Sequence, residues 1–213
     1  SADKTAASWA YASPTAIAEL TGHTGAVYAA AYSPDGTQAA TCGADGTIRL
    51  WDTTTGAAVK QFTGHTGAVY TVRFVGEGAQ LLSAGADGSA KLWDVAGGQA
   101  VRSFAPELAE GEAATPLFDA ASNPQGTLVA TGGSDRLVRT WNAANGQLGQ
   151  TLEGHADAVY RLEFQGPRLL SIGQAGNLHA WTVANGAPAA PVKLPAVSFT
   201  AAISPDGAKA AVG

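Results

Sequence analysis

Histidine, hydroxyl and aspartate recur in a fixed order along this 213-residue chain. His23 precedes Thr41 and Asp45, His65 precedes Ser83 and Asp87, and His155 precedes Ser171. A hydroxyl beside an imidazole that a carboxylate orients is the equipment of nucleophilic hydrolysis, and histidines near aspartates could also hold a metal. The sequence itself speaks against both. The set is repeated in separate segments instead of being assembled once, and a nucleophile needs an exposed hydroxyl, an oxyanion hole and a cleft. These histidines fall one per segment without convergent ligands, so no metal is expected. Paired carboxylates of the glycosidase kind have two candidates, Asp119 and Glu163. They are expected at different strand levels of non-adjacent segments, with no third acid. Glycines occur as turn pairs, not as a phosphate cradle ahead of a helix. No catalytic residue and no cofactor is assigned.

The elements that carry these residues are short and repeated. Trp9, Trp51, Trp93, Trp141 and Trp181 are spaced 42, 42, 48 and 40 residues apart. Around them recur "TGHTGAVY" at 21–28 and 63–70, "EGHADAVY" at 153–160, and the pair "GADGTIRLWD" and "GADGSAKLWD". Apolar and polar residues alternate through Thr47-Ile48-Arg49-Leu50-Trp51, the period of a half-buried strand. "SPDG", "ADG", "TTTG" and "AANG" place proline and glycine where turns need fixed or positive φ. Turn signals about every ten residues leave four strands of roughly five residues per unit. No segment shows sustained helical periodicity, so a helical solenoid is excluded.

Composition bounds the partners. The 27 glycines and 10 prolines suit many short elements, and a net charge of −5 argues against nucleic acid or an anionic membrane. No apolar run approaches the ~20 residues that span a bilayer, and no signal pattern opens the chain, so the compartment is unassigned. Cys42 is the single cysteine, which excludes an internal disulfide.

Four-stranded units with Gly-His ahead and Trp-Asp behind resemble the WD-repeat (WD40-type) β-propeller family. Gly22-His23 with Trp51-Asp52, and Gly64-His65 with Trp93-Asp94, carry the resemblance most fully. Trp141 is followed instead by Asn142, Trp181 by Thr182 and Trp9 by Ala10, and the third and fifth units lack Gly-His. The resemblance implies an all-β propeller of four-stranded antiparallel blades in five repeat units. The blades are expected at about 23–62, 65–104, 115–152, 155–192, and 195–213 plus 1–20. In the repeat frame Gly213 is equivalent to Cys42 and Ser1 to Gly43. Joined N- and C-terminal strands would therefore complete the last blade of a single domain spanning 1–213. A closed five-bladed monomer, part of a larger propeller, and self-association of copies to complete a ring all satisfy this frame.

The resemblance also gives the histidines a structural role in a buried hydrogen-bond network. Its members would be His23, Thr41, Asp45 and Trp51 in blade one, and His65, Ser83, Asp87 and Trp93 in blade two. Blade three keeps Thr131, Asp135 and Trp141; blade four keeps His155, Ser171 and Trp181, with Ala175 where aspartate belongs; blade five keeps Asp3 and Trp9. Where members are missing, apolar packing is expected to carry more of the blade. The resemblance further implies a non-catalytic scaffold that binds a protein or peptide at its top face. One aromatic per unit stands there: Tyr28, Tyr70, Phe118, Tyr160 and Phe199. Their repetition suits packing as well as binding. Ala44 and Ala86 beside the turn aspartates offer little contact energy. The 48-residue interval holds "APELAEGEAATP", whose Glu107, Glu110 and Glu112 would rim the contact and favour a basic partner. The competing reading is a structural or assembly module without a ligand, engineered or a fragment of a larger propeller.

Overall fold

The computed structural model describes residues 1–9 and 16–183, and the short strands at 187–188, 192–193, 201–203 and 210–212. Every regular element among them is a strand. The chain divides into two compact units, Ser1–Ser103 and Phe104–Gly213.

In the first unit β1 (Thr5–Trp9) pairs with β2 (Ala16–Thr21). Two four-stranded antiparallel sheets follow in sequence order. They are β3 (Val27–Tyr32), β4 (Gln38–Gly43), β5 (Ile48–Asp52) and β6 (Ala58–Phe62), then β7 (Val69–Val75), β8 (Gln80–Gly85), β9 (Ala90–Asp94) and β10 (Ala100–Phe104). In the second unit the same meander recurs as β11 (Leu117–Ser122), β12 (Leu128–Gly133), β13 (Val138–Asn142) and β14 (Leu148–Leu152). The next sheet runs β15 (Val159–Gln165), β16 (Arg168–Gly173) and β17 (Asn177–Thr182), with β18 (Ala187–Pro188) and β19 (Val192–Lys193) both paired to β17. Last, β20 (Ala201–Ile203) pairs with β21 (Ala210–Val212). The four-stranded meanders are those expected of β-propeller blades. The expected join of 195–213 with 1–20 depends on residues that lie largely outside the described set.

Burial explains why the strands stand where they do. The second strand of each blade is covered on both faces, so β4, β8 and β12 read as near-continuous apolar or small residues. The fourth strand is an edge, and in β6 only Phe62 is fully buried. Ala40, Cys42, Ile48, Leu50, Phe62, Val69, Val72, Leu81 and Trp93 form one core in the first unit. Ala121, Ala130, Val138, Leu152, Val159, Leu162, Leu169 and Trp181 form one in the second. Phe62 meets Trp93 edge to face at 5.9 Å, so the last strand of one blade packs on the tryptophan strand of the next.

The repeated turns hold by the same device. Asp45 accepts the Thr47 amide at 3.1 Å and its hydroxyl at 2.8 Å. Asp87 does so with Ser89, and Asp3 with Thr5. The aspartate after the tryptophan closes the following turn, where Asp52 accepts the Thr54 and Thr55 amides at 3.0 and 2.8 Å. Asn142 accepts the Ala144 and Asn145 amides at 2.9 and 3.2 Å. Replacement of aspartate by asparagine in that repeat therefore keeps the acceptor the turn needs.

Candidate functional site

The Gly-His pair sits directly over the blade tryptophan. Gly22 and Gly64 have φ of 150° and 148°. A Cβ on Gly22 would lie 2.9 Å from Arg49 Nη1 and 3.3 Å from the Trp51 ring; one on Gly64 would lie 3.2 Å from Trp93. Glycine is needed both for the backbone angle and for the close approach. That approach lowers the next residue, histidine, into the blade. His23 Nδ1 lies 2.8 Å from Asp45 Oδ2, and its Nε2 lies 2.8 Å from Thr41 Oγ1, which accepts the Trp51 indole N–H at 2.7 Å. Blade two repeats the set: His65 Nδ1 to Asp87 at 2.9 Å, Nε2 to Ser83 Oγ at 2.8 Å, and the Trp93 N–H to Ser83 at 2.8 Å.

This is the connectivity of a hydrolytic triad. Burial opposes ionisation of Asp45, but hydrogen bonds from the Thr24 amide, His23 and Thr47 hold its pKa down at about 2. An ionised carboxylate only accepts, so His23 Nδ1 carries the proton, Nε2 accepts, and the Thr41 hydroxyl donates. Thr41 and Ser83 are nevertheless 0% exposed, and each oxygen is capped by an indole N–H. No substrate atom can reach them, so the geometry serves to satisfy buried polar groups. Burial pulls the His65 pKa down against the attraction of Asp87, keeping that imidazole neutral.

Blades three and four reach the same end by other residues. In blade three the Trp141 N–H still bonds Thr131 Oγ1 at 2.9 Å, and with no histidine Asp135 takes the Arg139 guanidinium at 2.5 Å. In blade four His155 Nε2 lies 2.6 Å from Ser171 Oγ, which accepts the Trp181 N–H at 2.8 Å. Ala175 stands where the turn aspartate would, and Asp157 reaches in from the opposite loop to accept the Ala175 amide at 2.7 Å. His179 adds a second imidazole, 4.2 Å from His155 and stacked on Trp181 at 5.4 Å. Apolar packing alone thus does not take over in these blades, because Arg139 and Asp157 supply new polar partners. Of Trp9 only the backbone is described, and no histidine lies beside Asp3 among the described residues.

The aromatics share one backbone position. In each of four blades the register between first and second strands shifts across them: Val27 to Ala29, Val69 to Thr71, Leu117 to Asp119, and Val159 to Arg161. Tyr28, Tyr70, Phe118 and Tyr160 are the extra residues of four β-bulges, a device that re-aims a side chain out of the ladder. Tyr28 is 51% exposed and lies 5.7 Å from Tyr70, tilted 41°. Phe118 stacks on Tyr160 at 4.6 Å, within 5° of parallel. Phe199 lies outside the described residues.

The acids divide. Glu107, Glu110 and Glu112 are exposed, and Glu112 accepts the Ala109 amide at 3.1 Å within its own loop. Glu107 also walls a 670 Å³ cavity with Pro106, Arg139, Trp141 and Leu148. Asp119 and Glu163 correct the sequence reading, since β11 and β15 belong to neighbouring blades, not to distant ones. Asp119 is 2% exposed and accepts the Leu162 amide at 2.8 Å, while Arg161 stands 3.9 Å from Asp119 and 3.6 Å from Glu163. A carboxylate committed to a neighbouring backbone and flanked by a guanidinium ties two blades together. Among the described residues no three His, Cys, Asp or Glu side chains are placed to hold a metal ion.

The family model for the WD domain, G-beta repeat, matches residues 14–52, 56–94 and 110–142, just over half of the chain. The chain belongs to the WD40 repeat family. Dynein assembly factor with WD repeat domains 1 from Xenopus laevis is 40% identical over 52 residues, which is 24% of this chain and 12% of that protein. The Mus musculus and Homo sapiens proteins of that name match with the same identity and coverage. This WD40 chain therefore aligns with little more than one repeat of those relatives. The residues that sequence reading missed are Asp157 and Arg139. Asp157 had a signal in a paired change: "EGHADAVY" carries aspartate where "TGHTGAVY" carries Gly25, in the blade whose turn aspartate is lost, whereas Arg139 had none.

Proposed function

We propose that this chain is a non-catalytic WD40 scaffold that captures a protein or peptide segment on the surface where the bulge aromatics emerge. The observation that carries the reading is the pair Tyr28–Tyr70, with Tyr28 half exposed at a bulge that costs the blade a ladder pairing. Aromatic rings with polar tips on rigid strands offer contact area at little entropic cost. Phe118 and Tyr160 hold the equivalent bulge positions in the second unit. Glu107, Glu110 and Glu112 supply an acidic loop that favours a basic segment. The curated relatives are assembly factors by name, which supports a scaffold role; the short match does not extend the dynein partner to this chain.

The parallel stack of Phe118 on Tyr160 favours a second reading, in which the aromatics only pack. A displayed peptide library selected on the wild-type chain separates the two. Under the binding reading, Tyr28→Ala with Tyr70→Ala lowers affinity for selected peptides at least about tenfold, ~1.4 kcal/mol, with an unchanged melting temperature. Failure to select any peptide, together with a falling melting temperature in the double variant, would establish packing instead.

A further inference from the structure

Two buried polar atoms in blade four face each other without partners. His155 is 7% exposed, and neither its Nδ1 nor Asp157 Oδ1 has a hydrogen-bond partner. Both converge on one point: a Cβ placed on Gly173 would lie 2.2 Å from Asp157 Oδ1 and 2.8 Å from His155 Nδ1. In blades one and two the equivalent Nδ1 is bonded to the turn aspartate. Blade four has moved its carboxylate to the opposite side of that gap, where Oδ2 is spent on the Ala175 amide and Oδ1 is left over.

We propose that His155, Asp157 and His179 form a proton-operated latch on the loop that leads to Tyr160. In the neutral cluster the loop reaches the 173–176 turn through the Ala158 carbonyl, which accepts the Gln174 amide at 2.9 Å, and through Asp157 Oδ2. When His155 takes up a proton, both ring nitrogens become donors. Nε2–H is received by Ser171 Oγ, which keeps its bond from Trp181 and turns its own hydrogen away. Nδ1–H is received by Asp157 Oδ1. That bond lies within the loop and links its anchors on Ser171 and Ala175 into one network, with Asp157 paired on both oxygens. His179 makes the response a shared one, because two imidazoles 4.2 Å apart cannot both be charged cheaply, and the protons come on in steps that belong to the pair.

The surroundings leave these groups in control. The 173–176 turn carries no ionisable residue. β17 contributes His179, and the loop itself contributes Asp157 and the exposed Glu153. Arg161 on β15 is engaged with Asp119 and Glu163, and Lys193 on β19 stands in register with Asn177. Burial and the neighbouring His179 pull the His155 pKa down to about 4 against the attraction of Asp157, so the latch is open at neutral pH and closes on acidification.

Imidazole and amide resonances of the full chain, followed by NMR from about pH 7.5 to about pH 2.5, test this. The His155 ring and the Ala175 and Tyr160 amides should titrate with one midpoint. Asp157→Asn should lower the His155 midpoint by about one unit and abolish the Tyr160 response, whereas His179→Gln should raise the midpoint by a similar amount. An unmoved midpoint in Asp157→Asn, or a Tyr160 amide that ignores the His155 titration, overturns the latch. Should Asp157→Asn fail to fold, His179→Gln decides: a raised midpoint supports the latch and an unchanged one refutes it. The consequence for partner capture rests on the aromatic surface proposed above. The titration needs no partner, so a failed latch and a failed binding surface are read separately.

Discussion

Blades one and two, in the first unit, and blades three and four, in the second, solve one problem in two ways. Each must bury a tryptophan N–H and a hydroxyl between sheets and leave neither unpaired. The first pair closes a chain of donors from indole to hydroxyl to imidazole to carboxylate. The second pair keeps the indole–hydroxyl bond and rebuilds the rest, with Arg139 on Asp135 and Asp157 on Ala175. What the fold requires is thus satisfaction of buried polar atoms, not one residue set. The rebuilt versions are looser. Asp135 and Arg139 keep 16% and 12% side-chain exposure, and the blade-four network itself leaves His155 Nδ1 and Asp157 Oδ1 unpaired.

The largest expected effect comes from the hydroxyls. Thr41→Val strands both the Trp51 N–H and His23, whereas Thr131→Val strands the Trp141 N–H alone. We expect losses of about 2–4 and about 1–2 kcal/mol, read from urea unfolding. Equal losses would erase the distinction between the blades.

Acid separates them next. The folded pKa of His155 lies below its unfolded value, so its contribution to stability is complete above pH 6.5 and is lost as the pH falls from 6.5 to about 4. Asp45 loses its contribution in the same direction but at lower pH: it is present above the ordinary carboxylate value of 3.8 and is lost as the pH falls toward about 2. Amide exchange corrected for intrinsic rates should therefore show β16 and β17 losing global protection near pH 5 while β4 and β5 hold. Simultaneous loss would contradict separate titrations. Local tightening of the 153–158 loop is compatible with this, since the added bond only partly offsets the cost of a buried charge.

The smallest change should come from restoring the missing acid. Ala175→Asp with Asp157→Gly gives blade four the blade-one arrangement, and we expect a gain of about 0.5–1.5 kcal/mol in thermal unfolding. A loss would mean that the second imidazole, His179, cannot tolerate the standard carboxylate.

Much of this was legible in the sequence, for physical reasons. Turns announce themselves through glycine, proline and aspartate, and a buried tryptophan every 40 to 48 residues fixes the blade period. Gly22-His23 could be located because only glycine tolerates that φ so close to an indole. The compensations were hidden because they cross the repeat frame. Asp157 occupies a glycine position of the loop, and Arg139 aligns with Arg49 and Lys91, which mark nothing unusual. The bulges were hidden as well, since one extra residue in "AVYAA" leaves no mark in the alternation of apolar side chains. The adjacency of Asp119 and Glu163 depended on which strands neighbour each other, and that is a tertiary fact.

The most direct test is the exchange rate of the four indole N–H groups of Trp51, Trp93, Trp141 and Trp181, resolved by NMR at neutral pH. If closed networks hold a blade harder than rebuilt ones, Trp51 and Trp93 exchange most slowly and Trp141 and Trp181 measurably faster. Equal rates, or slower exchange at Trp141 than at Trp51, would contradict it.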